Sequence, residues 1–210
     1  MQIADLKIVG ICGKKRAGKD SLYNAVSNLM GVKVERIAFG DMVKGEVASV
    51  VKFFEDTDEN LEFMEAHKER FRPLLQWWGT EYRRHFYGSD YWIDSMRSRL
   101  HSVPPLVETM FITDVRFPDE IELVRDLGGK LIRVDGRGDG SGDSHSSEVA
   151  LDHIPASDYD YIINNTGDLS QLAAEAELML VNNFCRRVAS KEKKVTTDNN
   201  DSPHPSPSPV

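Results

Sequence analysis

The chain has 210 residues, of which 40% are apolar and 29% are charged, and its formal net charge is −8. This length and composition suit one α/β domain with a substantial core, and the acidic balance argues against a nucleic-acid-binding protein. The two cysteines, Cys12 and Cys185, are too few for a disulfide framework or a zinc site. Since no stretch approaches the roughly 20 apolar residues of a membrane span, we expect a cytoplasmic protein without a membrane partner.

The first predicted elements are a strand and a helix joined by a glycine-bounded loop. Residues 7–12 (KIVGIC) have the apolar run of a buried strand, and residues 21–30 have the periodicity of an amphipathic helix. Between them, Gly13, Gly18 and Lys19 stand at the spacing of a G-x-x-x-x-G-K motif. Such a loop turns its N–H groups around an anion, and its lysine reaches the β- and γ-phosphates of a nucleotide. The alternative is a glycine turn that only joins the strand to the helix.

The end of this motif departs from its common form. Asp20 follows the lysine where Ser or Thr is usual, and the hydroxyl comes one position later, at Ser21. We therefore predict that Ser21 lies on the Mg²⁺ side, in direct contact or through water. Asp20 has the alternative role of stabilising the first helical turn. The predicted phosphate-binding residues are Gly13, Lys14, Arg16, Ala17, Gly18, Lys19, Asp20 and Ser21, with Lys15 adding to the positive potential.

The rest of the chain alternates strands and helices, as a mainly parallel sheet of about five strands requires. Further strands are predicted over residues 33–39, 110–115, 130–135 and 161–164, and helices over residues 41–53, 72–82, 89–100, 118–127 and 169–188. We expect a three-layer α/β sandwich over residues 1–189, with a helical block over residues 54–102. A glycine-rich stretch predicts a mobile lid over residues 136–148, and a polar, proline-rich end predicts a disordered tail over residues 190–210.

Two charged residues stand at the end of the predicted third strand. Ligands of doubly wound sheets collect beyond the carboxyl ends of strands, so Asp114 and Arg116 share a rim with the glycine loop. Asp114 suits the Mg²⁺ shell or a substrate group, and Arg116 suits a phosphate because of its planar fork of donors. The alternative is a structural Asp–Arg pair that caps the helix beginning at Pro118.

A second polar cluster lies in the sequence RPLLQWWGTEYRR. Arg72 and Gln76 are four residues apart on one helical face, suited to a phosphate and to a base edge respectively. Thr80 and Arg84 extend the cluster, although a solvated role suits Arg84 equally well. We interpret the two tryptophans in this segment as core residues rather than as base-stacking residues.

The predicted lid region supplies a third group. Arg133 and Arg137 lie beside the mobile glycines, and the SHSSE segment contains His145 and Glu148. Closure of such a lid would bring cations over the transferring phosphates and exclude water. Without further information, the simpler interpretation of His145 is an ordinary loop histidine.

Four motifs in this order resemble those of the bacteriophage deoxynucleoside monophosphate kinases. They are G-x-K-R-A-G-K-D-S near the start, L-Q-x-x-G-T-E in the middle, D-V-R-F-P-D-E in the third strand and D-S-H-S-S-E after the glycine-rich stretch. The resemblance covers residues 7–180. It implies a P-loop kinase fold related to adenylate kinase, ATP as the phosphoryl donor, Mg²⁺ as a cofactor and a deoxynucleoside monophosphate as the substrate.

The resemblance also implies roles for individual residues. The donor-phosphate and metal side comprises Gly13, Gly18, Lys19 and Ser21, and Asp114 joins Ser21 at the metal. The acceptor side comprises Arg72, Gln76, Thr80, Arg84 and Arg116, and the lid comprises Arg137, His145 and Glu148. The expected catalytic residues are Lys19, Asp114, Arg116 and Arg137. The short helical block and the Trp77-Trp78 pair depart from the family pattern, so the accepted base is left open.

The expected reaction is an in-line phosphoryl transfer in which the acceptor oxygen is already ionised. Positioning and charge neutralisation then matter more than a general base. Two alternatives remain at this point: a related kinase for dephospho-coenzyme A or a nucleoside, and a non-catalytic ATP-binding switch. The oligomeric state is open and a homodimer is compatible with the sequence; a viral origin would place the protein in the host cytoplasm.

Overall fold

The computed structural model describes residues 6–51, 56–136 and 144–181 of the chain. Five strands form one sheet: β1 (Lys7–Cys12), β2 (Val34–Ile37), β3 (Thr109–Val115), β4 (Lys130–Gly136) and β5 (Tyr161–Asn165). All neighbouring strands are parallel, and their order is β2-β3-β1-β4-β5. The predicted parallel sheet of about five strands is confirmed.

Helices cover both faces of this sheet. They are α1 (Lys19–Met30), α2 (Phe39–Val50), α3 (Thr57–Ala66), α4 (Lys68–Gln76), α5 (His85–Tyr87), α6 (Tyr91–His101), α7 (Pro118–Asp126), α8 (Ser146–Val149) and α9 (Leu169–Leu180), with a π-helix over Trp77–Arg84 and short 3₁₀ turns over Gly31–Lys33 and Ala156–Asp158.

The alternation of side chains along β1 produces two separate cores. Successive strand residues point to opposite faces, so Val9 packs with Leu22 of α1 and Leu172 of α9. Its neighbour Ile8 belongs to the other face, where α2, α6 and α7 contribute residues such as Met96. The expected three-layer α/β sandwich is therefore the observed architecture.

The segment between β2 and β3 is helical throughout most of its described length. Met64 of α3 packs against Val47 and Ala48 of α2 in a small separate core. The π-helix follows α4 directly, and the indole N–H of Trp92 in α6 donates to the carbonyl oxygen of Gly79 at 2.8 Å. Single π-helical turns are frequent at functional sites, and this one borders the cleft described below.

The two adjacent tryptophans have different environments. Trp78 packs against the core and donates its indole N–H to Glu46 at 2.8 Å. Trp77 is 48% exposed and stacks on Tyr82, with the ring centroids 5.4 Å apart. The interpretation as core residues is right for Trp78 and wrong for Trp77, because adjacent helical residues point in different directions and the π-helix turns only Trp78 toward the core.

Some predicted features fall outside the described residues. These are Arg137, most of the lid over residues 136–148, Cys185 and the tail over residues 190–210. Cys12 is buried in β1, as expected for a core strand. Within the described ranges, no helix combines the length and the apolar character that crossing a membrane requires.

Candidate active site

The loop between β1 and α1 has the backbone geometry that the glycine motif predicts. Gly13, Arg16 and Gly18 have positive φ angles of 146°, 60° and 102°. A Cβ atom on Gly13 would lie 2.5 Å from the carbonyl oxygen of Val134, so only glycine fits against β4 at that point. The loop is thus held at the carboxyl edge of the sheet, beside the helix that follows it.

Lys19 is buried and folded back onto this loop. Its Nζ donates hydrogen bonds to the carbonyl oxygens of Gly13 and Lys14, each at 2.8 Å. Burial, with a smaller contribution from the nearby Arg116 guanidinium, lowers the pKa of Lys19 from 10.5 to about 8. Among the residues that the structure describes, only carbonyl oxygens accept from this desolvated ammonium, and a bound phosphate would stabilise it.

A cavity of about 440 Å³ opens beside Lys19. Most of the residues predicted for the site line it: Arg16, Lys19, Asp20, Arg72, Gln76, Thr80, Arg84, Asp114, Arg116 and Glu148. Nine of its lining residues are Lys or Arg and six are Asp or Glu, whereas the whole chain has a net charge of −8. Positive charge is therefore concentrated where an anionic substrate would bind.

Three lysine and arginine residues of this cavity were not expected from the sequence. They are Arg36, Lys44 and Lys68. Arg36 lies next to the end of β2, so the rule that points to Asp114 could have found it. Lys44 and Lys68 carry no comparable signal, because their directions depend on how α2 and α4 pack together.

Other predicted phosphate-binding residues lie beside the main cavity. Gly13 and Lys14 line a second cavity of about 330 Å³, where the Lys14 ammonium pairs with Asp152. The carbonyl oxygen of Ala17 accepts a hydrogen bond from Asn165 at 2.9 Å. Asp20, and not Ser21, lines the main cavity.

Asp114 is tied to the start of α2. Its two carboxylate oxygens accept the backbone N–H groups of Phe39 and Gly40, at 2.8 and 2.7 Å. Burial raises the pKa of Asp114, while these two hydrogen bonds oppose the rise. Asp114 thus stabilises the N-terminus of α2. The alternative considered from the sequence, in which Asp114 caps the helix that begins at Pro118, is wrong.

Arg116 pairs with Glu148. Its guanidinium donates to the carboxylate of Glu148 and to the carbonyl oxygen of Ser147, the latter at 3.3 Å. The other carboxylate oxygen of Glu148 accepts the N–H of Lys15 at 2.9 Å. His145 lies at the start of the same short helix, where Nε2 is 3.1 Å from Glu81 Oε1.

Arg84 is held by carboxylates rather than by solvent. It donates to Asp119 and to the buried Glu120, both at 2.5 Å, and its guanidinium lies 4.1 Å from the ring centre of Phe117. Of the two roles considered for Arg84, the solvated one is therefore wrong. The Arg84 guanidinium lines the cavity, and the carboxyl groups of Asp119 and Glu120 already offset its positive charge.

Arg72 shares an exposed carboxylate with the phosphate loop. It donates twice to Glu69, at 3.0 and 3.1 Å, and Lys15 donates to the same carboxylate at 3.3 Å. These hydrogen bonds lower the pKa of Glu69 to about 2. Glu69 thus binds both Arg72 of α4 and Lys15 of the phosphate loop.

Two polar atoms in the cavity wall lack partners. In the part of the chain that the structure describes, Gln76 Nε2 and the Thr113 hydroxyl are buried without a hydrogen bond. Buried polar groups are normally satisfied, so such orphans mark places that a ligand or water completes.

The donor set suits Mg²⁺ bound with nucleotide phosphates. Among the described residues, no cluster of three His, Cys, Asp or Glu side chains could hold a metal alone, but Mg²⁺ keeps several waters and takes few protein ligands. Asp20, Asp114 and the orphan Thr113 hydroxyl all line the cavity. Each Asp114 oxygen can accept a second hydrogen bond, so these residues fit a hydrated Mg²⁺ ion.

The glycine loop joins the first strand to the first helix, lies at the carboxyl edge of a parallel sheet and faces a cation-rich cleft. This arrangement is that of a P-loop kinase fold. The family model described as deoxynucleotide monophosphate kinase matches residues 36–176. The chain belongs to this family and is a phosphotransferase. The match begins after the phosphate loop, so that loop is identified by its own geometry.

A similar protein occurs in Acanthamoeba polyphaga mimivirus, where its provisional description is deoxynucleotide monophosphate kinase. The two sequences are 27% identical over 188 residues, which covers 80% of this chain and 93% of the viral protein. The resemblance drawn from the four sequence motifs is thus confirmed at the level of the family.

Proposed function

We propose that this enzyme transfers the γ-phosphoryl group of ATP to a deoxynucleoside monophosphate, with Mg²⁺ as cofactor. The proposed location is the cytoplasm, which is the cytoplasm of the host cell if the chain is viral. The observation that carries the proposal is a single cavity whose lining includes Lys19 of the phosphate-loop motif together with Arg72, Gln76 and Arg116. A donor phosphate and an acceptor phosphate could then meet in one desolvated space.

In this proposal the phosphate loop and Lys19 hold the phosphates of ATP, and Asp20, Asp114 and Thr113 hold the hydration shell of Mg²⁺. The metal neutralises charge on the β- and γ-phosphates when it is bound. Lys19 and Arg116 stabilise charge on the transferring group, and the acceptor oxygen needs no general base because it is already ionised.

Arg72 and Gln76 form the acceptor side. When the acceptor binds, Arg72 gives up its hydrogen bonds to Glu69 and donates to the phosphate of the nucleotide instead. Gln76 Nε2, which lacks a partner among the described residues, donates to the edge of the base. Thr80 and Arg84 line the same wall, where Arg84 keeps Glu120 in place. Of the residues predicted for the lid, His145 and Arg137 are assigned to closure over the phosphates.

The test is ADP release with ATP and Mg²⁺ across the four deoxynucleoside monophosphates and their ribose counterparts. At least one deoxynucleotide should be phosphorylated, and Lys19→Ala and Arg116→Ala should each lower kcat about a hundredfold or more. Lys33→Ala and Arg125→Ala, in exposed ion pairs away from the cavity, are the controls. ATP binding without acceptor-dependent ADP release would indicate a switch module, and activity only with a nucleoside or dephospho-coenzyme A would overturn the substrate class.

A further inference from the structure

Glu148 connects the phosphate loop with Arg116 through one buried carboxylate. Its side chain is only 4% exposed, and its two oxygens have partners on different elements. One oxygen pairs with the guanidinium of Arg116, just after β3, and the other accepts the backbone N–H of Lys15 in the phosphate loop. A buried carboxylate with both oxygens engaged has a well-defined orientation.

The neighbouring contacts reinforce the same connection. The backbone oxygen of Glu148 accepts the Lys14 ammonium at 2.6 Å, and the carbonyl oxygen of Ser147 accepts Arg116 at 3.3 Å. Helix α8 is therefore attached to the phosphate loop twice and to Arg116 twice. Its preceding residue, His145, contacts Glu81 in the π-helix, so the same segment also reaches the acceptor side.

The positive charge of Arg116 explains why a carboxylate such as Glu148 is required beside it. It lies close enough to Lys19 to lower the pKa of that ammonium, and Glu148 acts in the opposite direction. Two like charges that must act on the same phosphoryl group repel one another when no substrate is present. A carboxylate beside Arg116 keeps the guanidinium at the rim of the cavity without occupying its whole donor fork.

We propose that Glu148 is a positioning residue that holds Arg116 at a fixed place relative to the phosphate loop. The proposal rests on the role of Arg116 in the proposed function. It assigns to Glu148 an effect on kcat through Arg116, rather than through contact with either nucleotide.

The chain offers a matched control in Asp160. Its carboxylate also combines cations with a backbone N–H, since it accepts from Lys130, Arg125 and the N–H of Leu131 at 2.6, 2.5 and 2.9 Å. Asp160 lies before β5, at the opposite edge of the sheet. Asp160→Asn therefore measures the effect on stability of losing such a carboxylate away from the cavity.

The experiment compares kcat, KM and the melting temperature for Glu148→Gln, Glu148→Asp and Asp160→Asn. Glu148→Gln should lower kcat about tenfold or more and change the KM for ATP less than about threefold. Glu148→Asp should recover part of the loss, because it retains the charge. Asp160→Asn should lower the melting temperature while kcat stays at the wild-type value.

A double-mutant cycle separates positioning from stability. In the Arg116→Gln background, Glu148→Gln should lower kcat by less than about twofold, because the group it acts through is gone. An equal loss in both backgrounds, an unchanged kcat, or failure of both Glu148 variants to fold would overturn the proposal. Wild-type kcat in Arg116→Gln alone would instead remove Arg116 from the proposed function, which is a distinguishable result.

Discussion

Replacement of Lys19 by methionine should remove a pH dependence from the stability of the protein. In the folded chain the Lys19 residue is 9% exposed, and within the described ranges its ammonium donates only to two carbonyl oxygens. Its pKa falls from 10.5 to about 8, so the unfolded chain binds this proton more tightly than the folded one. Methionine has a similar length and no proton to bind.

The expected magnitude follows from the difference between the two pKa values. Each tenfold change in proton affinity is worth about 1.4 kcal/mol, so the pKa of about 8 for Lys19 corresponds to about 3 kcal/mol at most. Above pH 10.5 the lysine is neutral in both states, so its burial costs nothing in the free energy of unfolding. As the pH falls from 10.5 to about 8, the unfolded chain takes up the proton first, and the free energy of unfolding decreases. Below that pH, the contribution is constant and unfavourable.

Urea unfolding of the wild type and of Lys19→Met at pH values from 7.5 to 10.5 would measure this effect. The wild-type free energy of unfolding, minus that of the variant, should rise by about 2 to 3 kcal/mol across this range. Subtraction removes the titration of all other groups. Parallel curves, within about 0.5 kcal/mol, would refute the claim that the Lys19 ammonium is desolvated.

Other substitutions test the acceptor side and the edge of the sheet. Asp114→Ala should lower the free energy of unfolding by about 2 to 4 kcal/mol, because two N–H groups at the start of α2 lose their acceptor; a loss below about 1 kcal/mol in urea unfolding would contradict this. Glu69→Gln should lower the KM for the acceptor about twofold to fivefold by releasing Arg72. The control is Glu62→Gln, at an exposed position of α3 that does not line the cavity, and it should leave this KM unchanged; equal KM values for the two variants would show that Glu69 does not compete with substrate. Gln76→Met should leave the melting temperature unchanged or higher, since it removes an unpartnered donor, and should raise the acceptor KM about tenfold; an unchanged KM would separate Gln76 from the base.

The sheet and its functional edge could be predicted because they depend on local patterns and on one topological rule. The apolar run of β1 and the glycine spacing specify the phosphate loop without knowledge of distant residues. Asp114 and Arg116 follow from the position of ligands beyond the carboxyl ends of parallel strands. The cluster of Arg72, Gln76, Thr80 and Arg84 was also visible in the sequence, and the family resemblance assigned it to the acceptor; the structure brings it to the same cavity as Lys19.

The partners of these residues could not be predicted, because they lie far away in the sequence. Asp114 binds the N–H groups of α2 across 75 and 74 positions, and Arg116 pairs with Glu148 across 32. No periodic pattern encodes such pairs. The exposure of Trp77 likewise depends on the π-helix, whose extra residue per turn rotates side chains away from the positions that a 3.6-residue period predicts.

The hydrogen bond between Lys15 and Glu148 has a consequence for biosynthesis, since the two residues are 133 positions apart. The nucleotide-binding loop and the central strand β1 are translated roughly a hundred residues before β3 and β4, the two strands that pair with β1. Until β3 has been made, the nascent chain carries an apolar, unpaired strand, and exposed strands of this kind are prone to aggregation. The hydrogen bond from the loop to Glu148 can form only after a further 133 residues have been added to the chain.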